Sequence, residues 1–161
     1  MAILTNASRR FIAEVIKSQT LYFAWGIGDP AWDTTPVPPP LDAVALEHEV
    51  GRRLITQVLF VEEDDEGEFV TPTGRYTASA TPTRHLLVIV QFDFGDAPAS
   101  EIREVGVFAQ AVTDPELPEG QRYFVPCEVV DPGILISVER RTERLIRSPT
   151  SRENFQFIVS P

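Results

Sequence analysis

Alternating and continuous apolar runs predict β-strands along most of this chain. The longest run, residues 86–94, is rich in β-branched and aromatic side chains, which favour strands. Turn-forming residues interrupt it at 95–98, and alternation of apolar residues resumes over 105–109. Since only a polar connection separates the two runs, we expect them to be neighbouring antiparallel strands at the centre of a sheet.

Two segments near the N-terminus carry the 3.6-residue period of an amphipathic helix. The first follows the N-cap candidates Thr5, Asn6 and Ser8 and has apolar residues at positions 11, 12, 15 and 16. The second, residues 41–50, follows Pro40, a residue tolerated at a helix start, and precedes Gly51, a residue that ends helices. We therefore expect one or two short helices in this part of the chain.

Six further segments predict strands, namely residues 21–27, 54–61, 69–80, 123–130, 134–138 and 154–160. Pro126 cannot donate a hydrogen bond to a sheet, so its strand is expected at an edge or bent. The expected fold is α+β, with short N-terminal helices on a mainly antiparallel β-sheet or sandwich of about six to eight strands. At 161 residues the chain has the length of one domain, and we expect residues 1–161 to form a single domain.

A proline-rich connection, residues 29–40, joins a predicted strand to a predicted helix. It contains five prolines and one tryptophan, and about twelve residues is long for a connection in a compact domain. Prolines stiffen a chain before it binds, and tryptophan is frequent at interface centres. Two interpretations stay open: a rigid surface loop held by Trp32, or a loop that docks on a partner. The docking interpretation assigns this role to Trp32, Asp33, Pro36, Pro38, Pro39 and Pro40.

The net charge of −10, from 14 basic and 24 acidic residues, bears on the kind of partner. Binding to nucleic acid or to an anionic membrane surface requires clustered cations, so neither is expected. No run approaches the roughly 20 apolar residues of a membrane span, and the N-terminus does not resemble a signal peptide. We therefore expect the chain to fold in a cytoplasm. The one basic stretch has arginines at positions 140, 141, 144 and 147 and acids at positions 139 and 143. It is interpreted either as a solvated face with alternating charges or as a docking patch for an acidic neighbour.

The sequence contains no recognisable catalytic or metal-binding pattern. Cys127 is the one cysteine and has apolar neighbours, which predicts a small buried side chain. His48 and His85 are isolated, with no ligand at metal-binding spacing. The acids of 62–68 are contiguous, which does not match the alternate spacing of an EF-hand loop and favours a solvated hairpin tip. We expect no metal, no cofactor, no catalytic residue and no enzymatic activity.

Three motifs together resemble a known family. The first is Trp25-Gly-Ile-Gly-Asp-Pro-Ala-Trp-Asp with the later Glu49-Val-Gly-Arg-Arg, and the second is Gly95-Asp-Ala-Pro-Ala-Ser-Glu-Ile-Arg-Glu-Val-Gly-Val-Phe. The third consists of the closing stretches Asp131-Pro-Gly-Ile-Leu, Arg147-Ser and Phe155-Gln-Phe. Within them, Leu46-Glu-His-Glu-Val-Gly-Arg and Ile102-Arg-Glu-Val-Gly-Val-Phe stand in the places of the family's recurrent motifs. Their order is similar to that of small tail, baseplate and fibre-base proteins of bacteriophages, akin to the phage tail-collar fibre N-terminal domain. The resemblance spans most of the chain. Fibre proteins continue into a long shaft, whereas this sequence ends at Pro161, so we expect an attachment module.

The resemblance implies a structural virion protein of a phage tail or baseplate, made in the host cytoplasm. We expect an adaptor that seats a tail fibre or a peripheral baseplate component, with other tail, baseplate or fibre proteins as partners and with homo-oligomers inside the particle. Two alternatives stay open. One is a tail-completion or head–tail joining protein, and the other is a stand-alone carbohydrate- or peptide-binding module.

Overall fold

The computed structural model describes residues 1–161, of which 12% are helical and 44% lie in strands. The helices are α1 (Asn6–Lys17) and two short 3₁₀ helices, Pro30–Asp33 and Pro126–Glu128. The strands are β1 (Leu21–Gly26), β2 (Glu49–Leu54), β3 (Gln57–Glu63), β4 (Phe69–Thr71), β5 (Gly74–Ala78), β6 (His85–Phe92), β7 (Glu101–Ala109), β8 (Val112–Thr113), β9 (Tyr123–Phe124), β10 (Val129–Asp131), β11 (Ile134–Ile146) and β12 (Glu153–Val159). No helix is long and apolar enough to cross a membrane.

The chain divides into two compact units, each built from separate stretches of sequence. Unit 1 comprises Met1–Gln19, Ile55–Val90 and Asn154–Pro161, and unit 2 comprises Thr20–Leu54 and Gln91–Glu153. The expected mainly antiparallel sheet is confirmed, and the fold is mainly β with one short α-helix. The expectation of a single domain stays a prediction.

Unit 1 contains α1 and most of a five-stranded sheet in the order β12-β6-β3-β5-β4. Thr5 caps α1, because its Oγ1 accepts from the backbone N–H of Ser8 at 3.2 Å. In the sheet, β3 pairs antiparallel with both β6 and β5. The apolar centre of this unit is formed by Val61, Tyr76 and Leu87. The predicted first helix and terminal strand are therefore confirmed.

Unit 2 contains a five-stranded sheet in the order β11-β7-β1-β2-β9 and the two-stranded ribbon β8-β10. All six residues of β1 are buried, because β2 and β7 flank it and apolar side chains cover both faces. Trp25 stacks on Phe92, with 3.5 Å between the ring centroids. Every residue of β7 after Glu101 is buried as well. Strands β1 and β7 are thus the buried centre of the sheet, and they support the side chains described in the next subsection.

The predicted helix over residues 41–50 is wrong. This segment is irregular, Leu41 and Val44 are exposed, and of its apolar residues only Leu46 is buried in the unit 2 core. Gly51 does not end a helix but lies inside β2, where the ring of Tyr123 occupies the space that a Cβ would fill. The Tyr123 hydroxyl donates to the carbonyl of Val50 at 3.2 Å. Long-range packing of an aromatic ring thus outweighs a weak local helical period.

The predicted pairing of the two long apolar runs is also wrong. The first run is β6, which belongs to the unit 1 sheet, and the second is β7, which belongs to the unit 2 sheet. Strand β6 ends at Phe92, and Phe94 is 44% exposed. Cys127, which we expected to be buried, is exposed in the second 3₁₀ helix because Pro126 starts a turn there. The predicted strand over 69–80 is the β4–β5 hairpin, with Gly74 at φ 146° in its turn.

Candidate docking loop and its ion-pair network

Residues 29–40, called the proline loop from here on, begin with the 3₁₀ helix Pro30–Asp33. The side chain of Asp29 caps this turn, since its Oδ1 accepts from the backbone N–H of Ala31 at 2.8 Å. Proline is favoured in the first turn of a helix because its missing N–H would have no partner there. The turn directs the side chains at its end toward arginines of β7 and β11.

Asp33 lies between two arginines. Arg103 on β7 donates from Nε and Nη2 to its two carboxylate oxygens, at 2.8 and 2.9 Å, and Arg144 on β11 donates to Oδ2 at 2.7 Å. The hydrogen bonds from Arg103 are the main cause that lowers the pKa of Asp33 from 3.8 to about 2, and Arg144 adds to the effect. The same bonds raise the pKa of Arg103, which also pairs with Glu101. Since Arg103 is 4% exposed, this contact fixes the start of the loop to the sheet.

Trp32 packs against its own chain. The guanidinium of Arg140 on β11 lies over the indole ring, with 3.8 Å between Cζ and the ring centroid. The ring also packs against Gly28, where a Cβ would collide with it and where φ is 65°. Trp32 is half-buried as a result. Its contacts match the interpretation of a tryptophan that holds a rigid loop, and its docking role stays a prediction.

Arg140 joins the sheet to the proline loop. Its Nε donates to Glu104 at 3.1 Å, and its Nη1 donates to the carbonyls of Val37 and Pro38, each at 3.1 Å. Glu104 is 2% exposed and also accepts from the backbone N–H of Glu47 at 2.7 Å. A buried carboxylate is costly unless it is paired and hydrogen-bonded, and here one arginine and one amide satisfy it. The same arginine holds the loop backbone in place.

The tip of the proline loop is exposed. Of the sequence-predicted docking residues, Pro36, Pro38 and Pro40 are exposed and Pro39 is half-buried. Asp33 and Trp32 lie at the base of the loop, engaged with arginines as described above. The structure therefore brings the six residues together on one loop but divides them into a bonded base and an exposed tip. Whether they contact a partner stays a prediction.

The arginines of 140–147 are not a freely solvated face. The side chains of Arg140 and Arg147 are 11% and 0% exposed. Arg147 donates to backbone carbonyls, including those of Asp93 at 2.8 Å and Ser151 at 3.0 Å. Sequence reasoning missed these roles because alternation of Arg and Glu along a strand is also typical of an exposed surface. No local signal identifies partners that are distant in sequence.

The side chains of the two histidines make no hydrogen bond to Asp33, Arg103 or Arg140. His48 is exposed with φ 54°. His85 is buried in unit 1, where its Nε2 accepts from Arg84 Nε at 2.9 Å and its Nδ1 lies 2.6 Å from Ser160 Oγ. Burial, followed by the charge of Arg84, lowers the pKa of His85. No group of three or more His, Cys, Asp or Glu side chains has a metal-binding arrangement, and the acids of 62–68 are exposed.

Comparison with known proteins identifies the class of the chain. A family model covers residues 1–160 and describes phage baseplate components, so this is a structural protein of the phage baseplate and tail-fibre apparatus. The model carries the description baseplate wedge 3 tail fiber network component, and the chain belongs to that family. The phage tail or baseplate protein expected from the three sequence motifs is thus confirmed, with a location in the virion tail or baseplate. A search of curated proteins found no match.

Proposed function

We propose that the chain is an adaptor that seats a tail fibre or a peripheral baseplate protein, and that the proline loop is its principal docking surface. The observation that carries this proposal is a proline tip whose side chains are exposed while arginines hold both its backbone and the base of the loop. Arg140 donates to two carbonyls of the tip, while Asp33 is held by Arg103 and Arg144. The family description favours a role within a tail-fibre network.

A loop that is ordered before binding loses less conformational entropy when it meets its partner. The prolines restrict the backbone at the tip, and Arg140 adds hydrogen bonds there. The exposed apolar surface includes Val37, which is 46% exposed between two of the prolines, and continues beyond the loop with Leu41 and Val44, which are 107% and 78% exposed. A partner that covers this surface would bury apolar area without having to order the loop first. This is the property expected of an attachment site.

The proposed role is assembly and not catalysis. Around the proline loop, the charged side chains are used in ion pairs with one another, as in the pairs of Arg103 with Asp33 and of Arg140 with Glu104. A catalytic carboxylate or base has to reach a substrate with a free lone pair or proton. The low pKa of Asp33 fits a carboxylate held permanently charged by arginines.

The first test changes the exposed tip and leaves the bonded base intact. The variant carries Pro36→Ala, Pro38→Ala and Pro40→Ala, and its matched control carries Pro115→Ala and Pro118→Ala in another exposed loop. Each replaced proline restores about 0.4–1 kcal/mol of backbone freedom, so the tip variant is expected to bind its partner about tenfold more weakly or worse. Incorporation into particles is measured in cells that supply the variant chain to the phage. Equal incorporation of the tip variant and the control would refute the proline loop as the docking surface.

The second test separates docking by Trp32 from packing of Trp32 on its own chain. In the Trp32→Ala variant, a docking role predicts near-normal melting together with failure to enter particles. A packing role predicts that the free energy of unfolding falls by about 3–5 kcal/mol, if the ring contributes as much to stability as a fully buried tryptophan does. Normal melting with normal assembly would show that Trp32 has neither role.

A further inference from the structure

Helix α1 has two apolar stripes on different faces. Ala13 on the first stripe is buried, and Ile12 and Ile16 beside it are half-buried, so this face packs on unit 1. The second stripe consists of Ala7, Phe11 and Val15, which lie four residues apart. At 3.6 residues per turn these three side chains share one face, turned away from the packed one. All three residues of the second stripe are exposed.

The second stripe exposes two large apolar side chains, and the chain before the helix exposes two more. Phe11 is 65% and Val15 is 43% exposed, and the chain before the helix adds Ile3 at 83% and Leu4 at 57%. Contiguous apolar patches rimmed by polar groups mark interaction surfaces in soluble proteins. A shallow groove of about 420 Å³ lies beside Phe11, with Ala7 and Pro82 among its walls and with Arg10 and Glu14 at its rim.

The charges at this rim point to the occupant. Arg10 and Glu14 are one helical turn apart on the same side of the stripe, and neither side chain forms an ion pair within the chain. Suppose that two copies of α1 lie antiparallel about a twofold axis near Phe11. Ala7 of each copy then faces Val15 of the other, and Arg10 of each lies near Glu14 of the other. Both the charges and the apolar groups are self-complementary, as a twofold interface requires.

We propose that α1 is a self-association surface, on which a second copy of this chain docks antiparallel with Phe11 inserted in the groove of the other copy. The net charge of −10 opposes contact between copies at most surfaces. Here a positive and a negative side chain face their opposites, so the local repulsion is removed. The surface is separate from the proline loop, and its test does not depend on the proposed adaptor role.

The first experiment measures the mass of the full chain over a concentration series by light scattering or sedimentation. The wild-type chain is expected to form dimers as the concentration rises. Phe11→Ser removes the central apolar contact and is expected to weaken dimerisation at least about 30-fold, as for other central interface residues. Val70→Ser is the matched control, because Val70 is also 65% exposed but lies on β4, and it is expected to dimerise like the wild type. A wild-type chain that stays monomeric at every concentration, or a Phe11→Ser variant that dimerises normally, overturns the proposal.

The second experiment tests the antiparallel arrangement by exchanging charges. Arg10→Glu and Glu14→Arg each create two like-charge contacts across the twofold axis, so each is expected to weaken dimerisation about tenfold. The double variant restores both opposite-charge contacts and is expected to dimerise within about threefold of the wild type. Glu119→Arg, which makes the same charge change at an exposed position in unit 2, is the control. Failure of the double variant to recover, in a chain that melts like the wild type, contradicts the antiparallel pairing.

Discussion

Replacing Arg140 with methionine tests whether the buried ion pair beneath the proline loop stabilises unit 2. The substitution keeps most of the apolar length of the side chain and removes the guanidinium. Glu104, with a side chain 3% exposed, then retains its hydrogen bond from the Glu47 N–H but loses its cation. Breaking a buried pair by removal of one partner costs about 3–5 kcal/mol. Loss of the contact with Trp32 adds to this cost. We therefore expect the free energy of unfolding to decrease by at least about 3 kcal/mol.

A matched control is available in the same unit. Arg152 donates to Asp93 at 2.8 Å, but the two side chains are 52% and 42% exposed. An exposed pair of this kind contributes about 0–1 kcal/mol, so Arg152→Met is expected to be nearly neutral. The assay is urea unfolding of both variants beside the wild type, with the free energy extrapolated to water. If the two variants lose unfolding free energy to within about 0.5 kcal/mol of each other, the buried pair stabilises unit 2 no more than the exposed pair does, and the prediction is wrong.

Three further outcomes are expected. Val90→Asp puts an unpaired carboxylate at a position that is 4% exposed, so it should leave little soluble folded protein. Wild-type-like melting of this variant would show that Val90 is not a core residue. Chelator treatment is expected to leave the melting curve unchanged, and a large loss of stability would instead reveal a metal-dependent fold. The pKa of Asp33 lies near 2 in the folded chain and its ordinary value is 3.8, so the stabilisation by Arg103 is complete above about pH 4 and disappears as the pH falls through about 2. An NMR titration of the carboxyl carbon checks this, and a midpoint near 3.8 would contradict it.

Local sequence patterns were sufficient for elements whose own side chains decide their structure. Helix α1 has an N-cap at Thr5 and apolar residues at helical spacing, so its position could be predicted from the 3.6-residue period. Strand β1 is a short apolar run bounded by turn residues, and all of it is buried. Such elements carry their signal within a few residues. Their prediction succeeded because no distant partner had to be known.

Elements that depend on distant partners could not be predicted in the same way. The segment 41–50 has a partial helical period, but its neighbour Gly51 accommodates the ring of Tyr123, which lies far along the chain. Strands β6 and β7 resemble a hairpin in sequence, but each pairs with strands from other parts of the chain and they enter different sheets. Strand register is decided by contacts between whole strands. A short polar connection alone does not show that two strands pair.

The candidate docking loop was recognised from its composition, while the network that holds it was not. Prolines and a tryptophan are visible in the sequence, and they mark residues 29–40 directly. The arginine that binds Asp33 from β11, Arg144, is 111 residues away in sequence. Arg140 reaches the carbonyl of Val37 across 103 residues. Contacts of this kind follow from the sheet topology, and topology is what the sequence pattern assigned incorrectly.

The proposed docking role of the proline loop places it where this baseplate protein would contact a tail fibre or a peripheral baseplate component. Cryo-electron microscopy of the intact particle, at a resolution that shows side chains, tests it most directly. If the proline loop is the docking surface, the map shows the chain in the baseplate with Pro36, Pro38 and Pro40 buried against a tail-fibre or peripheral baseplate protein, and with Arg140 still bonded to Glu104. A particle in which those prolines face solvent, while every contact with neighbouring proteins lies on other surfaces, would contradict the claim.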